Sequence, residues 1–282
     1  MTRPNAYAHP PADEVAGADH GNRSWVAAAP AELAAAISFL TRLPIRRSTA
    51  DLDRTGAAGF AVVGLAIGLV GAVPIVVLGA RLAWPAAVAA LLIAVLISGG
   101  LHLDGLADTA DALVAPNPDA AERARTDPRA GPAGVAAIVL DMLLGGSVLA
   151  VLAARDSRIA AAAFVVALTA SRASAPVAGW TTRRWRSEPM TGLGGWFSSR
   201  VTMLHVAAAL LTTGAVTALA AIGVGAPVAL GVGTLAGVGA AAVVGAVIVA
   251  RRGRLDGDGY GAIVEVTFVS ILAGVAVLLP VS

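Results

Sequence analysis

Residues 84–113 read WPAAVAALLIAVLISGGLHLDGLADTADAL. From Trp84 to Leu101 there is no charged side chain, and directly after it come His102, Asp104, Asp108 and Asp111. An uncharged run close to the ~20 residues that cross a ~30 Å hydrocarbon core predicts a membrane-spanning helix. The acidic residues then start where that helix leaves the membrane. This one junction frames both the fold and the chemistry.

The rest of the 282-residue chain follows the same pattern. It is 57% hydrophobic and only 13% charged, against about 25% charged residues in a soluble domain. Seven spans are expected, at 58–80, 84–101, 133–153, 159–179, 201–222, 226–249 and 261–280. The run AELAAAISFLTRL (31–43) is too short to span and reads as an interfacial or re-entrant helix. Residues 1–30 are polar, lack the apolar core of a signal peptide, and read as a disordered tail. The fold expected is therefore an all-α polytopic membrane bundle, with residues 31–282 as one integral-membrane domain.

Every basic residue is arginine, and there is no cysteine. These absences exclude disulfides, thiolate metal sites, Cys nucleophiles and lysine-based chemistry. The arginines are scattered between apolar segments, so the basic pI indicates no nucleic-acid partner. With the N-terminus in the cytoplasm, sixteen of the 20 arginines fall in the N-terminal segment and the 102–132, 180–200 and 250–260 connections. That asymmetry predicts those segments on the cytoplasmic side of a cell membrane. The same side receives RTDPRAGPAG (125–134), TGLGGWF (191–197) and LDGDGYGAIVE (255–265).

On a helix starting near Leu101, Asp104, Asp108 and Asp111 lie within an arc of about 60°. Three carboxylates on one face repel unless a cation joins them. Magnesium, with oxygen ligands shared between carboxylates and substrate phosphates, is the natural cation. His102 is placed to orient a carboxylate, to bind phosphate or to act as a base. Arg129 can fork onto a phosphate, beside Arg125 and Asp127. Asp141, Arg172 and Glu265 fall inside spans and face the bundle interior, where an Asp141–Arg172 pair is one arrangement. Glu265 follows Asp258 by seven residues, so a helix there puts both on one face and offers a second acidic site. Each motif also has a plain structural role open to it: a solvated helix end, a basic loop that fixes topology, a Gly-rich turn.

Together these motifs resemble the cobalamin synthase family, the adenosylcobinamide-GDP ribazoletransferases. The resemblance is carried by FLTRLPI (39–45), GGLHLDGLADTADAL (99–113), RTDPRAGPAGVAAIVL (125–140), SRASAP (171–176), GLG (192–194) and GDGYGAIVE (257–265). It departs at Pro132-Ala133, where the family pattern leads one to expect a Thr-His-like pair. The resemblance implies a transfer in which α-ribazole, or its 5′-phosphate, displaces GMP from adenosylcobinamide-GDP. It implies Mg²⁺ held by Asp104, Asp108, Asp111, Asp258 and Glu265. His102, Asp108, Asp111 and Arg129 take the catalytic roles, and Arg125, Asp127, Arg172, Gly192 and Gly194 bind substrate. Its partners are these small molecules and membrane lipid, with a homo-oligomer and other cobalamin-assembly enzymes as further associations. The alternatives are another Mg²⁺-dependent membrane transferase, of the CDP-alcohol phosphotransferase or prenyltransferase type, and a secondary transporter.

Overall fold

A computed structural model of the chain describes residues 25–45, 53–127, 129–184 and 192–279. Among the described residues the regular structure is helical: α1 (Trp25–Leu40), α2 (Phe60–Leu78), α3 (Ala83–Ser98), α4 (Leu101–Val114), α5 (Pro118–Thr126), α6 (Pro132–Arg155), α7 (Ser157–Thr181), α8 (Gly192–Arg200), α9 (Met203–Val224), α10 (Pro227–Arg252) and α11 (Gly257–Leu278). Six helical stretches are long and apolar enough to cross a membrane. The first, Ala57–Ser98, is broken at Gly79 into α2 and α3, which pack against each other. The protein is a polytopic helical membrane protein, and each expected span has its counterpart helix.

Two boundaries differ from expectation. The short N-terminal helix starts at Trp25 rather than after residue 30, continues through Pro30, and stops at Leu40. The disordered tail expected for residues 1–30 otherwise lies outside the described residues. The charged segment 118–126 forms a helix of its own, α5. Asn117 caps it by accepting the Ala120 N–H at 2.9 Å, and Pro118 occupies its first turn, a standard start signal.

α7 is the hub of the bundle, with Phe164, Val166, Ala167 and Thr169 completely enclosed. Glycines on α2 let it approach. A Cβ at Gly64 would collide with the Leu168 backbone, and one at Gly71 would lie 2.7 Å from the Phe164 ring. Lipid tails are as apolar as side chains, so close backbone packing of this kind drives helix association in membranes. α10 meets α11 in the same way, where a Cβ at Gly274 would lie 2.9 Å from Gly233 Cα.

The connections sort to two ends. At one, Arg155 donates to the carbonyls of Ala276 and Leu279, and Arg158 to that of Gly223. At the other, the Arg42 N–H donates to the Ile97 carbonyl at 2.8 Å, and Glu32 of α1 pairs with Arg54 and with His205 at the start of α9. Consecutive left-handed glycines, Gly99 (φ 67°) and Gly100 (φ 74°), turn the chain at this second end from α3 into α4. α4 is therefore a separate helix, wedged against α11 and α6.

Candidate active site

The acidic face of α4 meets the start of α11 at a glycine crossing. A Cβ on Gly105 would lie 2.8 Å from the Asp258 carbonyl oxygen and 3.1 Å from Gly261 Cα; one on Gly261 would lie 3.0 Å from the His102 carbonyl. Backbone contact this close brings Asp258 to the carboxylates of α4. Burial, and then the charges of Asp258, Asp104 and Asp111, push the Asp108 carboxyl up from 3.8 to about 6. Arg125 of α5 works against that rise from 3.6 Å away from Asp258, while also holding Glu122 at 2.6 Å.

Asp111 has a more specific task. Its Oδ2 accepts the Gly131 N–H at 2.7 Å and its Oδ1 accepts the Gly134 N–H at 2.9 Å. One carboxylate thus caps α6 from a neighbouring helix, which a helix N-terminus favours through its unpaired N–H groups and its dipole. Asp256 does the same locally for α11, accepting the Gly259 N–H at 3.1 Å while Arg252 holds its other oxygen at 2.6 Å.

A cleft opens beside the crossing. Its polar side chains are His102, Asp104, Asp258 and Tyr260. Elsewhere it is walled by apolar groups, among them Phe39, Phe60, Leu193 and Phe197. The aromatic wall is continuous: Phe39 stacks on Phe60, Phe60 on Phe197, and Phe197 meets Tyr260 edge to face, with centroids 5.4–5.7 Å apart. α8 closes one side through Gly194, where a Cβ would sit 2.7 Å from the Gly257 nitrogen. Gly192 takes a left-handed φ of 66° at the start of α8. His102 is buried, and its Nδ1 has no hydrogen-bond partner. Burial, with the Arg172 charge second, holds its imidazole well below the usual range and therefore neutral.

Residues 32–276 match the family model described as cobalamin-5-phosphate synthase. The chain belongs to that family. An adenosylcobinamide-GDP ribazoletransferase of Pseudomonas fluorescens (strain SBW25) is 34% identical over 252 residues, spanning 86% of this chain and 97% of its own. A protein of the same name from Escherichia coli (strain K12) is 36% identical over 174 residues, or 59% of this chain and 69% of its own. No solved structure matches the chain.

In this member of the cobalamin-5-phosphate synthase family the expected site residues separate into groups. Asp104, Asp108, Asp258, His102 and Gly194 come together around the crossing and cleft, and Arg125 reaches them through Asp258. Arg129 does not: its exposed guanidinium forks onto Asp127, with both contacts at 3.0 Å. Glu265 stands two helical turns deeper than Asp258. It lines a second, smaller cavity with Arg172 and is an electrostatic neighbour of Asp141. Arg172 donates to Ser171 Oγ at 2.9 Å, while its Nε and Asp141 Oδ2 have no hydrogen-bond partner; the ion-pair contacts found for described residues do not include Asp141–Arg172.

Sequence reasoning missed Asp256, Glu122 and the aromatic wall. An N-cap signal marks Asp256, since Asp before Gly-x-Gly opens an apolar helix. Nothing local marks Phe39, Phe60 and Phe197, which meet only through tertiary packing.

Among the described residues, no three Asp, Glu or His side chains form a ready-made metal group. The donors nevertheless suit magnesium, which keeps several waters and uses one or two carboxylates plus substrate phosphates. Asp104, Asp108 and Asp258 offer only oxygen, and their mutual repulsion is already visible in the raised Asp108 carboxyl.

Proposed function

We propose that this chain joins α-ribazole, or its 5′-phosphate, to adenosylcobinamide-GDP and releases GMP, a late step of cobalamin assembly. The observation that carries this reading is the family match across residues 32–276, whose relatives bear the name adenosylcobinamide-GDP ribazoletransferase. The site chemistry is consistent with it. A hydroxyl oxygen of the riboside attacks the phosphorus that carries the corrinoid, the diphosphate P–O bond breaks, GMP leaves, and the hydroxyl proton passes to a base.

Phosphoryl transfer depends mainly on positioning and charge stabilisation. Asp104, Asp108 and Asp258 would hold a magnesium ion, which when bound neutralises the charge of the diphosphate. Arg125 sets the orientation of Asp258. His102 is neutral with an open Nδ1, the form that can accept the hydroxyl proton. Asp111 keeps the α4–α6 corner closed so that the acidic face stays fixed. The arginine-rich end of the bundle faces the cytoplasm of the cell (inner) membrane, which gives water-soluble nucleotides access to the site.

The test uses protein in nanodiscs, given adenosylcobinamide-GDP and α-ribazole with and without Mg²⁺. Mg²⁺-dependent GMP release with stoichiometric cobalamin is the expected result. Folded protein that binds Mg²⁺ but makes no cobalamin would point instead to another diphosphate substrate.

A further inference from the structure

The stretch FLTRLPI (39–45) carries one charged side chain, Arg42, which the chemistry above does not use. The fold fixes it closely. The Thr41 hydroxyl donates to the Ile37 carbonyl at 2.7 Å and accepts the Leu43 N–H at 3.2 Å, while the Arg42 N–H donates to the Ile97 carbonyl at 2.8 Å. The Arg42 stem lies across Gly99. A Cβ there would stand 2.7 Å from Arg42 Cγ and 2.8 Å from its Cδ, and would collide with Nε. Gly99 is thus required both by its left-handed φ of 67° and by the arginine laid over it. Arg42 is nevertheless exposed, and among the described residues its guanidinium has no hydrogen-bond or ion-pair partner. Arg54, Arg125, Arg129, Arg252 and Arg254 each face a carboxylate.

Arg42 stands where the cleft begins. Phe39 and Leu40, just before it, and Leu101 and His102, just after the Gly99-Gly100 turn, line that cleft. α4 starts from Gly100 without a side-chain cap, so its first N–H groups stay available. A Cβ on Gly100 would meet nothing within 4 Å, so the approach to them is open. A helix N-terminus favours an anion, and a guanidinium beside it adds a full charge with fork geometry. A second observation points to a ligand: His102, in this first turn, is 6% exposed and has no partner at Nδ1. The carboxylates of α4 and α11 repel phosphate oxygens, so a diphosphate held near them needs positive charge from another direction. Arg129, paired with Asp127, does not supply it.

We infer that Arg42 and the first turn of α4 bind the phosphate that leaves with GMP. The inference rests on the proposed transferase reading and adds to it the group that receives the leaving charge. As the diphosphate P–O bond breaks, its electron pair stays on the GMP phosphate. The guanidinium forks onto two oxygens of that phosphate, and the N–H groups of α4 share the charge that builds there.

The test compares wild type, Arg42→Gln and Arg42→Lys in phosphatidylcholine nanodiscs. KM is measured for adenosylcobinamide-GDP and for α-ribazole, and labelled GMP is followed by equilibrium dialysis in the absence of any corrinoid. Arg42→Gln should raise the adenosylcobinamide-GDP KM and the GMP dissociation constant by about tenfold or more, the worth of a charged hydrogen-bonded contact. It should leave the α-ribazole KM and the melting temperature unchanged. Arg42→Lys should recover part of the loss, since it keeps the charge but not the fork. An unchanged GMP dissociation constant, or an equal rise in both KM values, would overturn the assignment while leaving the reaction standing. The same measurements in nanodiscs containing phosphatidylglycerol separate a second source of phosphate. If Arg42→Gln alters only the response of activity to that lipid, Arg42 binds a lipid headgroup and the assignment to GMP falls. A wild-type protein that makes no cobalamin would instead remove the transferase reading, and this assignment with it.

Discussion

Asp111 on α4 accepts the Gly134 N–H at 2.9 Å and the Gly131 N–H at 2.7 Å, and so caps α6 from a different helix. The glycines fit this closeness, since a Cβ on Gly131 would lie 2.6 Å from Asp111 Oδ1. Of the three aspartates on α4, Asp111 is the one whose two oxygens hold up the fold.

Asp111→Asn tests that division of labour. Asparagine keeps one acceptor and turns an NH₂ against the other N–H. Loss of an N-cap costs about 0.5–2 kcal/mol. Thermal unfolding in detergent should show that loss, while the Mg²⁺ concentration needed for half-maximal residual activity stays at the wild-type value. Asp104→Asn should do the reverse, with little change in unfolding and a raised Mg²⁺ requirement. If Asp111→Asn raises the requirement as much as Asp104→Asn does, the capping role is not the main one.

Asp108 gives the site a pH signature. Its carboxyl is raised from 3.8 to about 6 by burial and by neighbouring carboxylates. A raised carboxyl holds its proton in the folded state at pH values where the unfolded chain has lost it. Ionisation therefore costs stability as pH rises through about 6, and the cost is absent below 3.8. In EDTA at pH 8, Asp108→Asn should raise the melting temperature and lose the stabilisation that Mg²⁺ gives the wild type. Activity should fall on acidification with a midpoint near 6, and more Mg²⁺ should move that midpoint lower, since a cation favours the ionised form. A midpoint insensitive to Mg²⁺ would separate Asp108 from the metal.

The spans were legible because membrane-crossing length and lack of charge leave few alternatives. The α4 face was legible too, because i, i+4 and i+7 spacing fixes which side chains share a side. The same rule misled at Glu265. Seven residues return to the same face of α11, but at ~1.5 Å rise per residue they also carry the side chain about 10 Å along the axis. Spacing gave the direction of Glu265 and not its depth, and depth sets it beside Arg172. The Asp127–Arg129 pair shows a different limit. Composition cannot tell an arginine that reaches a site from one satisfied two residues away, and only the turn around it decides.

Arg125 and Arg129 should therefore differ. Arg125 lies 3.6 Å from Asp258 and 2.6 Å from Glu122, whereas the Arg129 side chain is 85% exposed in its pair with Asp127. Arg125→Gln should lower kcat/KM by about tenfold, the equivalent of ~1.4 kcal/mol, and Arg129→Gln should leave it near wild type. Turnover of the two variants under saturating Mg²⁺ decides the matter. An equal loss in both would mean that the 127–131 loop closes over bound substrate.

Arg172 and Glu265 are buried opposite charges that feel one another through space, without an ion-pair contact, and together they support the site from below. Both are buried, at 3% and 7% exposure, and both line the small cavity under α4. A charge in a bundle interior needs a counter-charge nearby, and removing Glu265 leaves the buried Arg172 guanidinium less compensated. Glu265→Gln should thus sharply reduce the yield of folded protein from membranes. Replacing both together, Glu265→Gln with Arg172→Met, should recover much of that yield, because a buried pair exchanged for uncharged groups of similar volume is often neutral. The comparison also assigns Glu265. Recovery of folded protein by the double variant marks it as the counter-charge of Arg172. A single variant that folds normally but no longer binds Mg²⁺ would return it to the carboxylate set of Asp104 and Asp258.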